Sequence, residues 1–234
     1  MEKIIGINAV NEAIESNVNI EYIEIFTGVR PEQVAKLKTK ASKKNIIVKE
    51  GKKKIENSQG VVAYISDYDY YITFKEFLES AVKEEKSTVL ILDGVQDPRN
   101  FGALIRSAEI FGVKGIIIPE RNSVKINETV VKTSTGAIEH VSIIKVKNIA
   151  ETIDELKKYD FWIYGAEGSA KKYYHEENYP AKTALVLGSE GFGIRKKVRE
   201  HCDILIKIPM KGKINSLNVS VAGGILLSEI SKNR

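Results

Sequence analysis

Three short stretches of this sequence gather side chains that hold anions, sugars and amides, each where the chain is expected to turn. The first is DGVQDPRNFGALIRSAEIFGV, Asp93 to Val113. Asn100 stands at the expected entrance of a helix beginning near Gly102. Arg106 follows six residues on, among Ala103, Leu104, Ile105, Ala108 and Ile110. A guanidinium in so apolar a helix calls for an anionic partner, and its planar fork of donors suits a phosphate. The second is LVLGSEGFGI, Leu185 to Ile194, where Gly188, Gly191 and Gly193 let a backbone approach a ligand closely. Glu190 among these glycines would repel a phosphate and suits the orientation of a base, a ribose or an arginine. The spacing GxxGxG is neither a dinucleotide fingerprint nor a Walker loop. The third is IKIPMKGKINSLNVSVAGGILLSE, Ile206 to Glu229. It reads as a strand stopped by Pro209, then a loop, then Asn215, Ser216 and Asn218 at the head of an apolar helical run from Val219 to Ile230. For one such residue alone, helix capping is the commoner role. Three together, beside the free amides of a helix start, make a seat for a carboxylate, phosphate or ribose.

The elements that must position these stretches alternate. Residues 88–92 (TVLIL), 115–118, 141–146, 161–166 and 183–187 read as buried strands. Helices are expected at about 102–111, 127–133, 149–159 and 195–201, and a short amphipathic one at 73–83. Short apolar strands separated by helices indicate a mostly parallel sheet covered on both faces, with ligands bound beyond the carboxyl ends of the strands. Upstream, residues 1 to 68 read as a separate small unit in the order helix (6–14), strand (20–27), helix (31–44), strand (46–48), strand (61–65). Asp67 to Tyr71 reads as the linker, and 73–234 as the second domain. Tyr64, Tyr68, Tyr70 and Tyr71 could stack on RNA bases; packing between the two domains is the preferred reading.

Composition narrows the function. The 43% hydrophobic and 29% charged content is that of a globular protein. No apolar segment is long enough to span a bilayer, and MEKIIGINAV has no signal-peptide core, so a cytoplasmic location is expected. Cys202 is the single cysteine, and His140, His175 and His201 are scattered without ligand spacing, so no metal is expected. The net charge of +5 points weakly to a polyanionic partner. From Lys36 to Lys54 there are nine lysines against Glu50 alone. Such a run is either a solvated face or a seat for phosphates.

The order of the motifs carries more. Asn-x-Gly-Ala-x-x-Arg-x-Ala at 100–108, Leu-Gly-x-Glu-Gly at 187–191 and Ile-Pro-Met…Ser-Leu-Asn-Val-Ser-Val-Ala at 208–222 resemble the three motifs of the SpoU/TrmH family, RNA ribose 2′-O-methyltransferases of the SPOUT class. The N-terminal unit resembles the substrate-binding domain of the 23S rRNA branch, in its Gly6-Ile-Asn-Ala-Val entrance and its Gln59-Gly60 turn. Ser58 and Asn8 stand where that branch commonly has His, and Gly223 replaces a frequent Thr. The resemblance implies a C-terminal parallel-sheet α/β domain with a trefoil knot, a small N-terminal α/β RNA-binding domain and a homodimer. It implies S-adenosyl-L-methionine as cofactor, contacted by Gly188, Ile208 and Leu217 with Met210 nearby. Arg106 takes the central catalytic role, and Asn100, Glu190, Ser216 and Asn218 position it and the ribose. The expected substrate is a guanosine of 23S rRNA. An rRNA adenosine (as in thiopeptide-resistance enzymes), a tRNA, and a non-catalytic role on rRNA are the alternatives.

Overall fold

The structure, a computed structural model, describes residues 3–16, 18, 20–51, 58–65, 70–213 and 216–232. The chain divides into two compact units, Met1–Asp69 and Tyr70–Arg234.

In the first unit β1 (Lys3–Ile5), β2 (Ile20–Ile25), β3 (Ile47–Glu50) and β4 (Val61–Ile65) form a sheet in the order β1-β4-β2-β3. Strand β4 is antiparallel to β1 and β2, and β3 is parallel to β2. Helices α1 (Ile7–Glu15) and α2 (Pro31–Lys43) are too short to be stable in isolation. Val10, Ile14 and Leu37 supply the missing free energy by packing with Ile23 and Ala63 in one buried cluster, at about 1.5–3 kcal/mol for each large side chain. Buried Ser58 holds the turn before β4 by accepting the Gly60 amide at 3.2 Å.

The second unit contains an eight-stranded sheet, built from β5 (Tyr71–Ile72), β6 (Ser87–Asp93), β7 (Val113–Pro119), β8 (Ser142–Val146), β9 (Trp162–Ala166), β10 (Lys172–Tyr173), β11 (Lys182–Gly188) and β12 (Ile204–Lys207). Its order is β10-β12-β9-β11-β6-β7-β8-β5, and every neighbouring pair is parallel. Buried residues of α3 (Phe74–Ala81), α6 (Ile149–Lys157) and α7 (Lys196–Glu200) join alternate residues of the central strands, such as Val89, Ile91 and Val186, in one core. Helices α4 (Pro98–Ile110), α5 (Glu128–Ser134) and α8 (Val219–Ser231) form a second layer, α4 against β7 and α8 against β11. A Cβ on Gly223 would come within 2.4 Å of Leu104 Cδ2, so α8 lies tightly on α4.

The parallel α/β reading of the sequence matches this sheet, and two local features of the chain differ from expectation. Strands β1, β5 and β10 were not expected; at two or three residues each they are too short to show a period and are defined by distant pairing partners. Helix α4 begins at Pro98 rather than near Gly102, because Asp97 accepts the amides of Arg99 and Asn100, both at 2.9 Å. Asn100 therefore sits inside the first turn and does not cap it. Tyr64 stacks on Tyr22 within the first unit, while in the second Tyr70 donates to Glu139 and the Tyr71 hydroxyl accepts the Ile126 amide. Tyr68, Asn215, Lys52 to Lys54 and residues 66–69 of the linker lie outside the described residues.

Candidate active site

Strand β6 is followed outward by β7 and β8, and the chain later returns to place β11 on the other side of β6. The strand order reverses between β6 and β11, and in open parallel sheets ligands bind at such a switch point. Asp93 and Gly188 end these two strands and pair in register. Beyond Gly188 the chain folds into a tight hairpin, Ser189 and Gly193 exchanging two backbone hydrogen bonds at 3.1 and 3.0 Å. Gly191 and Gly193 take φ of +90° and +68°, the left-handed region that glycine occupies without strain. Gly188 is required for a different reason: a Cβ there would lie 2.0 Å from the Gly193 carbonyl carbon and 2.2 Å from the Ile194 nitrogen. The hairpin is anchored at its far end. The Asp93 carboxylate, with no exposed side-chain surface, accepts the Arg195 amide at 2.8 Å and the Arg195 guanidinium at 2.7 and 2.6 Å.

Three side chains from distant parts of the chain meet at the hairpin tip. Asn218 caps α8 through Oδ1, which accepts the amides of Ser220 and Val221. With Oδ1 so engaged, Nδ2 is turned outward, and it donates to Asn100 Oδ1 and Glu190 Oε1, both at 2.9 Å. Asn100 Nδ2 donates to the same Glu190 oxygen at 3.0 Å. Ser220 completes the cluster, its hydroxyl lying 2.5 Å from Asn218 Oδ1 and 3.4 Å from Asn100 Oδ1. The Glu190 carboxylate thus stands at the amino ends of two thirteen-residue helices, each favouring a negative charge by about 0.3–1 kcal/mol. Its Oε2 accepts no hydrogen bond among the described residues, which leaves a fixed acceptor.

A cleft of about 520 Å³ opens beside this cluster, a size suited to a cofactor or small molecule. Gly188, Glu190 and Ile208 border it on one side, and Met210, Ser216, Leu217 and Asn218 on the other. Met210 and Leu217 are 39% and 40% exposed, two large apolar side chains at the cleft without a cover. Asn100 reaches the cleft through its bonds to Glu190 and Asn218. Arg106 does not reach it. Six residues beyond Asn100 it points about 240° around the helix, onto an exposed face of α4, and it lines neither this cleft nor the neighbouring one. The expectation of a helix apolar on more than one side is not met: the buried residues of α4, Phe101, Gly102, Leu104, Ile105 and Ala108, lie on one side and leave Arg106 on the exposed one. Asp93, Arg195 and Ser220 were not singled out. Asp93 ends an apolar strand, a signal that was available; its pairing with a residue 102 positions away was not. Burial pushes the Cys202 thiol up to about 12, so it offers no nucleophile near neutral pH. No helix among the described residues is long and apolar enough to cross a membrane, and none of their His, Cys, Asp and Glu side chains form a metal-binding group.

The fold and site define a parallel α/β protein with a ligand cleft beyond the carboxyl ends of β9, β11 and β12, beside the topological switch point, with Glu167, Glu190 and Asn218 among its lining side chains. The chain belongs to the SpoU rRNA methylase family, whose sequence profile matches residues 87–228. A second profile, RNA 2′-O ribose methyltransferase substrate binding, matches residues 3–71. A relative from Staphylococcus haemolyticus, named for the TrmH family as a tRNA/rRNA methyltransferase, is 43% identical over 99% of this chain and 95% of its own. Among solved structures, the TrmH/SpoU tRNA modifying enzyme of A. aeolicus is 32% identical over 68% of this chain and 81% of its own, with a TM-score of 0.59. The SpoU methyltransferase AviRb of Streptomyces viridochromogenes, solved with the cofactor AdoMet, is 20% identical. It covers 98% of this chain and 89% of its own at a TM-score of 0.63 and shares the fold.

Proposed function

We propose that this protein is an RNA methyltransferase that uses S-adenosyl-L-methionine to methylate a ribose 2′-oxygen, and that its substrate is a guanosine of 23S rRNA. The observation that carries the reading is the Asn100–Glu190–Asn218 cluster, which fixes an open carboxylate oxygen at the wall of a cofactor-sized cleft. The cleft fits the cofactor chemically. Met210 and Leu217 offer exposed apolar surface to an adenine, and the strand-end backbone at Gly188 and Ile208 offers polar groups to a ribose and an amino acid. When bound, S-adenosyl-L-methionine supplies a methyl group on a positively charged sulfur. The protein's part is to align the ribose oxygen and to manage its proton.

Glu190 Oε2, held by two amides through its sister oxygen, accepts a hydrogen bond from the sugar or from a guanidinium. Ser216 and Asn218 bound the same space. Arg106 is assigned to stabilising the forming alkoxide while gripping the adjacent phosphate, since a guanidinium keeps its proton at any pH below about 12. From its outward face it serves the cleft of a second copy. Exposed Ile110 and Val221, 63% and 50% accessible on the adjoining helices α4 and α8, support a homodimer through that surface. The trefoil knot and a cytoplasmic location belong to the same family reading.

In the N-terminal unit, residues 1–68, Lys36, Lys38 and Lys43 are exposed on α2 and form no ion pair among the described residues, whereas Lys40 pairs with Glu15 at 2.6 Å. The three free lysines are assigned to rRNA phosphates. The test is transfer of labelled methyl to isolated 23S rRNA and to tRNA, with the modified ribose mapped, alongside calorimetry with S-adenosylhomocysteine. Methylation of a 23S guanosine is expected. Transfer to an adenosine or to tRNA redirects the substrate, and failure to bind S-adenosylhomocysteine leaves a non-catalytic RNA-binding protein.

A further inference from the structure

A second cleft, of about 640 Å³, adjoins the first across Glu190; Ser189, Glu190 and Val219 border both. Gln96, Asn100, Arg121, Asn122, Arg195 and Phe192 stand around it. Phe192 is 95% exposed. A phenyl ring left in water forgoes the stabilisation that burial brings, so an aromatic plate held out on a rigid tip invites a flat partner. The tip is rigid: the Ser189–Gly193 bonds close it and the Asp93–Arg195 contacts pin its base.

The charges around this cleft are sorted. Of its three carboxylates, Asp93 is engaged by Arg195 and Asp97 by the first amides of α4, while Glu190 is held by Asn100 and Asn218 through Oε1 and keeps Oε2 as an acceptor. Arg121 is exposed and forms no ion pair among the described residues. The cleft therefore offers an apolar plate, side-chain amides that can donate and accept, and a free cation. A nucleotide has a matching base, sugar and phosphate. Single-stranded RNA is recognised in this way, with unstacked bases laid on aromatic side chains.

We propose that the second cleft seats the target nucleotide, splayed out of its strand. The base stacks on Phe192, the sugar lies at the Glu190 wall between the two clefts, and the phosphate meets Arg121. The inference rests on the methyltransferase reading of the first cleft. It places the methyl donor and the acceptor sugar on opposite sides of one shared wall.

Phe192→Ala tests it, because an exposed side chain can be removed without opening the core. Loss of stacking should lower kcat/KM for RNA about 5- to 150-fold, the equivalent of about 1–3 kcal/mol per stacked base. S-adenosylhomocysteine binding by calorimetry should stay at the wild-type value, and Phe192→Tyr should restore most of the activity. Arg121→Gln should raise KM with kcat little changed. Phe192→Trp in a Trp162→Phe background gives a direct signal: the emission of the introduced indole should be quenched by the RNA and unaffected by S-adenosylhomocysteine. The seat is overturned if the wild type methylates RNA while Phe192→Ala matches it within twofold, or if RNA leaves the indole emission of the Phe192→Trp protein unchanged. A wild type that binds no S-adenosylhomocysteine and methylates no RNA overturns the first-cleft reading, and the seat falls with it.

Discussion

Substituting Gly188 by alanine adds a single carbon at the most crowded point of the candidate site. That carbon would sit 2.0 Å from the carbonyl carbon of Gly193, 2.2 Å from the nitrogen of Ile194 and 2.3 Å from the Gly193 oxygen. All three are backbone atoms, so no rotamer change relieves the overlap. Retreat of the Gly193–Ile194 segment is opposed from behind: the Ile194 side chain is buried, and Arg195 is tied to Asp93 by three contacts. The two hairpin bonds between Ser189 and Gly193 are the weakest restraint and should yield first. At about 0.5–1.5 kcal/mol for each hydrogen bond, the stability loss should be about 1–3 kcal/mol. That corresponds to a fall in Tm of about 2–12 °C at about 2–4 °C per kcal/mol. The functional loss should be larger than the stability loss suggests, because Ser189 and Glu190 ride on the same hairpin. Misplacing a catalytic constellation by about 1 Å can cost about 100-fold in rate. Thermal melting, calorimetry with S-adenosylhomocysteine and a methyl-transfer assay, run on one preparation, give the three numbers. We expect a folded protein with cofactor affinity at least about tenfold weaker and turnover reduced about 100-fold. A Gly188→Ala protein with wild-type affinity and rate would show that the hairpin does not shape the cleft.

Arg106→Ala should leave Tm and S-adenosylhomocysteine affinity unchanged, since an exposed side chain away from buried features contributes within about 0.5 kcal/mol, yet abolish methyl transfer; wild-type turnover would remove its assigned role. Asp93→Ala removes the acceptor for the Arg195 amide and guanidinium. Breaking a buried pair costs about 3–5 kcal/mol, and because Arg195 is 56% exposed and can turn to water, the lower end is expected; a melting shift equivalent to less than about 1 kcal/mol would refute the anchoring role. Converting Lys36, Lys38 and Lys43 together to glutamine should flatten the dependence of log K for RNA on log salt by up to about 0.7–0.9 for each lost phosphate contact. An unchanged slope would return these lysines to the role of a solvated face.

The parallel sheet was legible because buried strands and amphipathic helices leave different periods in the sequence, and residues 88–166 keep that alternation. The Asp97-Pro98 pair is also a readable helix start, an N-cap acid followed by proline in the first turn. Asn100, a good cap by type, masks it by suggesting a later entrance. What local sequence does not carry is the company a residue keeps. Nothing near Glu190 announces two asparagines at its carboxylate, and nothing near Asp93 announces Arg195. The outward direction of Arg106 follows from a helical wheel once Leu104, Ile105 and Ala108 are taken as the buried stripe; the apolar residues flanking it, Ala103 and Ile110, blur that stripe in the sequence. Phe192 offers the opposite case: flanking glycines hint at exposure, but only the fold shows a cavity beside it.

The bond between Asn218 and Asn100 spans 118 residues of chain. Docking of α8 on α4 therefore closes a loop of more than a hundred residues, and the cluster at Glu190 is complete only when that loop is closed. Contacts of such long sequence separation are slow to form. The carboxylate gains its second amide, and the cleft its closing wall, only when α8 has docked.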